Sequence, residues 1–131
     1  FGHIQELIIQ NFRAKPDTLM VNAPEPDLNE LLWTIAQARL IFGSEMNLQA
    51  PPNLSPGVFH RIIDSGINDW GGVSPVTPDF VNPEAPWPHL KNLAEETARE
   101  GKILVERLGI FINNFRRIIF RINRNQYCLF I

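Results

Sequence analysis

Apolar positions along the chain alternate between short continuous runs and helical stripes. The run Leu7-Ile8-Ile9, inside His3–Asn11, is apolar on successive positions and predicts a strand buried on both faces. From Asp27 to Phe42 the pattern changes period. Leu28, Leu31, Leu32, Ile35, Ala38 and Phe42 share one helical face, Asp27 and Glu30 have capping-box spacing, and Gly43 supplies a stop. Asn47 to Ala50 predicts a second short strand, ended by Pro51-Pro52. Ser55-Pro56 then reads as N-cap and first helical position, with Phe59, Ile62 and Ile63 inward and Gly66 closing the helix after Ser65. Ile67 to Trp70 predicts a third strand. A helix starting at Pro88 carries Leu90, Leu93, Ala94, Thr97 and Ala98 on its inner face and ends at Gly101, before a last strand at Ile103–Val105.

The rhythm is strand, loop, helix, three times over. It predicts an α/β fold of about three βα units, with parallel strands and crossover helices. Three units are too few to close an eight-stranded barrel. In parallel α/β folds the chemistry gathers at the C-terminal ends of strands. Three loops are therefore expected along one rim: Asn11–Thr18, Pro51–Ser55 and Trp70–Pro88.

The longest of these lies within Gly66–Pro88. It holds Gly71-Gly72 and then Pro75, Pro78, Pro83, Pro86 and Pro88, a spacing no helix can cross. Trp70, Trp87, Phe80 and Val81 are expected to give it packing, and Asp69, Ser74, Thr77 and Asp79 polar chemistry. The glycine pair permits a sharp turn or close approach to a ligand. A functional loop and a proline-stiffened surface connection carry about equal weight on this pattern alone.

At 131 residues the chain is one domain or part of one. Residues 109–131 hold four arginines and no acid, so the net −2 leaves −6 on residues 1–108. An acidic body argues against a nucleic-acid surface. No apolar run is long enough to span a membrane. The single cysteine, Cys128, forms no internal disulfide or multi-cysteine metal site and fits a reducing cytoplasm. A start at Phe1 suggests a fragment.

Among candidate groups, Arg13 and Lys15 could hold a carboxylate or phosphate, or form a solvated basic turn. Asn11, Gln49 and Asn53 could offer amide bonds to a flat polar ligand. Asp69 could take or orient a proton, although a strand-end aspartate more often caps backbone donors. His3, His60 and His89 show no metal-ligand spacing. No phosphate loop, zinc pattern or nucleophile elbow is present.

Two stretches carry a resemblance. Gly2-His3-Ile4-Gln5-Glu6 through Asn11-Phe12-Arg13-Ala14-Lys15-Pro16-Asp17-Thr18 is one. Ile67-Asn68-Asp69-Trp70-Gly71-Gly72-Val73-Ser74-Pro75, with Asn82-Pro83-Glu84-Ala85-Pro86-Trp87-Pro88, is the other. With Gln49-Ala50-Pro51-Pro52-Asn53-Leu54 between them, they resemble the radical S-adenosylmethionine family of 7,8-didemethyl-8-hydroxy-5-deazariboflavin synthases, in its chromophore-completing subunit. The resemblance covers residues 1 to about 108 and implies the C-terminal part of a TIM-type (β/α) barrel. It further implies a [4Fe–4S] cluster and S-adenosylmethionine, and a radical step on an adduct of tyrosine and 5-amino-6-ribitylaminouracil that ends in ammonia release. A sister radical subunit that uses tyrosine is the implied functional partner. On this resemblance Asn11, Arg13, Gln49, Asn53, Asp69 and Ser74 make polar contacts to the small-molecule substrate, and Gly71 and Gly72 allow close backbone approach. The family's CxxxCxxC cluster motif is not in these residues, so this piece alone is expected to be inactive. The 109–131 segment departs from the family and is expected to be out of frame, or else a basic amphipathic stretch touching a membrane surface. A non-catalytic remnant and a small α/β binding module are the alternatives.

Overall fold

The computed structural model describes residues 3–74, 76–106 and 127–130, the last four through their backbone. Strand β1 (Glu6–Ile8) pairs in parallel with β2 (Asn47–Gln49), Leu7 opposite Leu48. Residues 67–70 lie on the far side of β2, joined through a parallel bridge between Gln49 and Asp69. The Asn68 N–H donates to the Leu48 carbonyl at 3.1 Å, and the Ala50 N–H to the Asp69 carbonyl at 3.3 Å. The spatial order is therefore β1, β2, then the 67–70 run.

Two strand expectations need correction. The predicted strand His3–Asn11 shrinks to three residues, and Ile8 is 60% exposed rather than buried. Among the described residues β1 pairs with β2 alone and so stands at the sheet edge, and Ile8 lies on a solvent-exposed face. The predicted strand Ile67–Trp70 is a single bridge, because the Asn68 side chain enters the pairing: its Oδ1 accepts the Leu48 N–H at 2.8 Å.

Helix α1 (Leu28–Phe42) follows its predicted bounds, with Asp27 as N-cap. The capping box is complete. Asp27 Oδ1 accepts from the Glu30 N–H, and Glu30 Oε2 from the Asp27 N–H, both at 2.9 Å. Helix α2 (Phe59–Ser65) starts later than Ser55-Pro56 predicts. A 3₁₀ turn at Pro52–Leu54 takes up the preceding chain, and Gly57, at φ +80°, interrupts any helical path from Pro56. Helix α3 (Leu90–Arg99) leads through Gly101 into β3 (Lys102–Val105). Strand β3 pairs in parallel with β4 (Tyr127–Phe130), Lys102 opposite Tyr127. Four residues of the 109–131 segment thus form a strand. Ile118, Ile119 and Ile122, the apolar residues that could share a face of the expected amphipathic stretch, lie outside the described residues.

The fold is a small α/β arrangement with short parallel pairings. Its core joins Leu31 and Ile35 of α1, Phe59, Ile62 and Ile63 of α2, Leu93 of α3, and Ile67 and Trp70. At the opposite end from the rim, Arg39 staples α1 to the starts of β2 and the 67–70 run. Its Nε donates to the Gly66 carbonyl (2.7 Å). One terminal nitrogen reaches the Gly43 (2.7 Å) and Met46 (2.8 Å) carbonyls, and the other Asn68 Oδ1 (3.2 Å). Burial lowers the Arg39 pKa, and the ring of carbonyl acceptors keeps the cation hydrogen-bonded. Among the described residues, no helix is long and apolar enough to cross a membrane.

Candidate functional site

The loop after the 67–70 run has little regular structure, yet it is ordered by its own short polar side chains. Asp69 Oδ1 accepts the Gly71 N–H at 2.7 Å. Ser74 Oγ accepts the Thr77 N–H at 3.1 Å and the Thr77 hydroxyl at 2.8 Å. Asp79 Oδ1 accepts the N–H groups of Val81 (2.8 Å) and Asn82 (3.0 Å). Each is a side-chain-to-backbone turn, an alternative to helix or ladder pairing that Asp and Ser supply. The expectation that Phe80 and Val81 pack the loop is corrected: Phe80 is 82% exposed, and Val81 is exposed beside it.

Asp79 also ties the loop to the neighbouring turn. Its Oδ2 accepts from Asn53 Nδ2 (2.9 Å) and Asn82 Nδ2 (3.0 Å). Asn53 Nδ2 donates a second bond, to the Ala85 carbonyl at 3.0 Å. Burial pushes the Asp79 carboxyl up, but bonds from the Asn82 side chain and backbone, Asn53 and the Val81 N–H together outweigh it and lower the pKa from 3.8 to about 2. A second tie is the ion pair of Lys15 with Glu84.

These loops border an open cavity of about 260 Å³ at the C-terminal ends of β1, β2 and the 67–70 run. Gln49, Gly71, Gly72, Asp79, Asn82 and Trp87 line it. Gln49 is buried, and its Nε2 donates to Glu6 Oε2 at 2.6 Å. Gly71 lies directly on Gln49. A Cβ there would stand 2.3 Å from Gln49 Oε1, and φ is +46°. A larger cavity of about 880 Å³ opens between the 13–14 segment, the 3₁₀ turn and residues 84–92.

Over most of its length the chain matches curated proteins. It is 56% identical over 108 residues to "FO synthase" of Streptomyces avermitilis, and 57% identical over 108 residues to that of Nocardia farcinica; each match covers 82% of this chain and 12% of the relative. It is 50% identical over 117 residues to "7,8-didemethyl-8-hydroxy-5-deazariboflavin synthase" of Methanopyrus kandleri, covering 89% of this chain and 35% of the relative. This chain is homologous to part of the FO synthases. It spans about an eighth of the length of the Streptomyces and Nocardia relatives and about a third of the Methanopyrus relative. No protein-family profile and no solved structure matches it. The resemblance carried by the 2–18 and 67–88 stretches is thereby borne out.

Of the eight residues expected to contact substrate, six border one of three cavities, and Asn11 and Asp69 border none of these three. Gln49, Gly71 and Gly72 meet at the strand-end cavity. Arg13 and Asn53 border the larger cavity, where Arg13 pairs with Glu25 at 2.8 Å and donates to the Leu54 carbonyl at 2.9 Å. Asn11 donates to Ser55 Oγ at 3.2 Å. Ser74 borders a third cavity, also of about 260 Å³, with Thr77 and Trp87. Asp69 is 1% exposed and lies beneath the loop it turns. Asp79, Asn82 and Trp87 were not singled out as site residues in the sequence. The pattern Asp79-Phe80-Val81-Asn82 before Pro83 is a turn signal that points to Asp79. Nothing local in the sequence points to Trp87 and Gln49 lining one cavity. Among the described residues, no cluster of three or more His, Cys, Asp or Glu could hold a metal ion, and His3, His60 and His89 are exposed.

The depressed Asp79 carboxyl sets an acid limb of stability. A group with a lowered folded pKa contributes stability above its unfolded pKa, and the contribution is lost as pH falls through the folded value. Asp79 should therefore destabilise the fold progressively from about pH 4 down to about pH 2. Glu25, lowered by its bond from Arg13, and Glu84, lowered by its bond from Lys15, act in the same direction. Thermal melts of wild type and Asp79→Asn over that range should show a flatter acid limb in the variant. Parallel limbs would show that Asp79 is unshifted.

Proposed function

We propose that this chain forms one rim of the substrate cavity in a synthase of the 7,8-didemethyl-8-hydroxy-5-deazariboflavin chromophore. The observation that carries the proposal is the strand-end cavity, built by the same segments that resemble the family and walled by Gln49, Gly71, Asp79, Asn82 and Trp87. On this reading the substrate is an adduct of tyrosine and 5-amino-6-ribitylaminouracil, the reaction is a radical lyase step with ammonia release, and a tyrosine-using sister subunit is the functional partner. A [4Fe–4S] cluster with S-adenosylmethionine would supply the hydrogen-abstracting radical. One cysteine in this chain cannot furnish the three thiolates of such a cluster, so its residues do other work.

That work is positioning. Gln49, fixed by Glu6, presents an amide edge at the strand end, and Gly71 lets the backbone approach it. Asp79 stays ionised and saturated with donors, so it shapes the wall and is a poor proton acceptor at neutral pH. Trp87 closes the side and helps exclude water.

The test is a transplant. Residues 3–106 would replace the matching stretch of the Methanopyrus kandleri relative, and chromophore formation and iron content would be measured together. Chromophore formation is expected. Full iron content without chromophore would overturn the assignment. In that chimera Asp69→Asn exchanges a charge-assisted bond to the Gly71 N–H for a neutral one, worth about 1 kcal/mol. Chromophore formation should fall about fivefold with iron unchanged; an unaltered rate would leave Asp69 as a backbone cap without influence on the site.

A further inference from the structure

We infer that the outward face of α1 binds a second copy of this chain, the two helices packing antiparallel about Ala36 and Gln37. This goes beyond the chromophore reading and does not depend on it. Helix α1 is apolar on two opposite faces. On one, Leu31, Ile35 and Ala38 are buried. Trp33 and Leu40 each stand two positions beyond a buried residue, Leu31 and Ala38, a rotation of about 200°. They are 65% and 77% exposed, and Ile41 beside them is exposed too. A helix that is apolar all round is normally covered on every side. Extending the parallel fold toward a barrel does not supply that cover, because barrel helices form an outer ring whose far faces point away from the strands.

Two properties of the face favour a second copy. The first is charge. Of the 15 residues of α1 only Glu30 and Arg39 are charged, and both are engaged elsewhere. Glu30 reaches back to the Asp27 N–H, and Arg39 turns to the Gly66, Gly43 and Met46 carbonyls. Residues 1–108 carry −6, so two copies repel, and they repel least across an uncharged face. The second is self-complementarity. Trp33, Ala36 and Leu40 run large, small, large at helical spacing. About a two-fold axis between Ala36 and Gln37, Trp33 of each copy meets Leu40 of the other, and Ala36 lets the backbones approach. Antiparallel helices also oppose their dipoles. The three large side chains expose on the order of 400 Å² per copy, and with their polar surround a pair would bury roughly 1,000 Å². That area lies at the lower limit for a specific interface and predicts a weak, reversible dimer.

The test is sedimentation equilibrium of the complete 131-residue chain between about 5 and 500 μM. A monomer–dimer equilibrium with a Kd on the order of 50 μM is expected. Trp33→Lys and Leu40→Glu should each weaken association at least about tenfold. Both positions are exposed, so far-UV circular dichroism should show the helices intact. An equimolar mixture of the two variants should associate again to within about threefold of wild type. One end of the mixed pair keeps Trp33 on Leu40, and at the other the introduced lysine and glutamate face each other. Ile8→Lys and Phe80→Lys charge other exposed apolar positions and should leave the Kd unchanged. A chain that remains monomeric at the highest concentration would overturn the inference and leave the face to a different molecule. Association that survives Trp33→Lys or Leu40→Glu, or is lost in Ile8→Lys or Phe80→Lys, would place the contact elsewhere and overturn it too. A mixture that stays monomeric would overturn the antiparallel pairing.

Discussion

Trp70→Ala is expected to lower the unfolding free energy by about 3–5 kcal/mol, a large share of what a domain of this size possesses. The indole is 0% exposed and stands edge-on to Phe59, ring centroids 5.3 Å apart at 67°. Its Nε1 donates to Thr97 Oγ1 at 3.3 Å, and that hydroxyl donates in turn to the Leu93 carbonyl at 2.7 Å. One side chain therefore joins the end of the 67–70 run to α2 and α3. Alanine would open a cavity among all three and leave the neighbouring layers to collapse only in part. Trp70→Phe should be milder, because it keeps a ring against Phe59 and forfeits the Thr97 bond. Urea unfolding of the three proteins would test the ranking, provided the slopes agree. A loss under about 1 kcal/mol in Trp70→Ala would show that these layers are held together by something else.

Gly71→Ala is expected to abolish most chromophore formation in the chimera while costing about 1–3 kcal/mol in stability. Two effects add. The backbone at φ +46° disfavours a side chain, and the new Cβ would fall 2.3 Å from Gln49 Oε1 and 3.0 Å from its Cβ and Cδ. The oxygen is the free end of a flexible chain, but it has little freedom here. Gln49 is buried and held by Glu6, so relief requires breaking that bond or moving the loop. Gly72 is the control. Its φ is +75° with open space around a Cβ, so alanine there meets the backbone penalty without the clash. Equal effects at the two glycines would mean that close approach to Gln49 is unimportant and that conformation alone matters.

Much of the fold was legible because it depends on local chemistry. Asp27 and Glu30 announce the start of α1, the 3.6-residue stripe gives its buried face, and Gly43 gives its end. The α3 face was readable through Leu93 and Thr97. Strand lengths were not, because a strand exists only as far as its neighbour reaches. Leu7-Ile8-Ile9 reads as buried, yet among the described residues β1 stands at the sheet edge and Ile8 lies on a solvent-exposed face. Asn68 reads as an ordinary strand residue, and only the meeting with Leu48 turns its side chain into a pairing partner. The start of α2 moved because Gly57 adopts a positive φ that Pro56 could not foreshadow.

For the site the division follows the same physics. The sequence by itself determined the family resemblance, the parallel α/β rhythm, the chemistry available on the rim, and a loop too rich in proline to be helical. Those properties belong to residue types and their spacing along the chain. Only the tertiary structure decided which polar groups meet. It set Gln49 against Gly71, buried Asp69 beneath its own turn, and made Asp79 the hub joining Asn53 to Asn82. It also separated Ser74 and Arg13 from the strand-end cavity. Such meetings depend on distances between residues tens of positions apart. Packing of helices on strands sets those distances, and no local pattern encodes them.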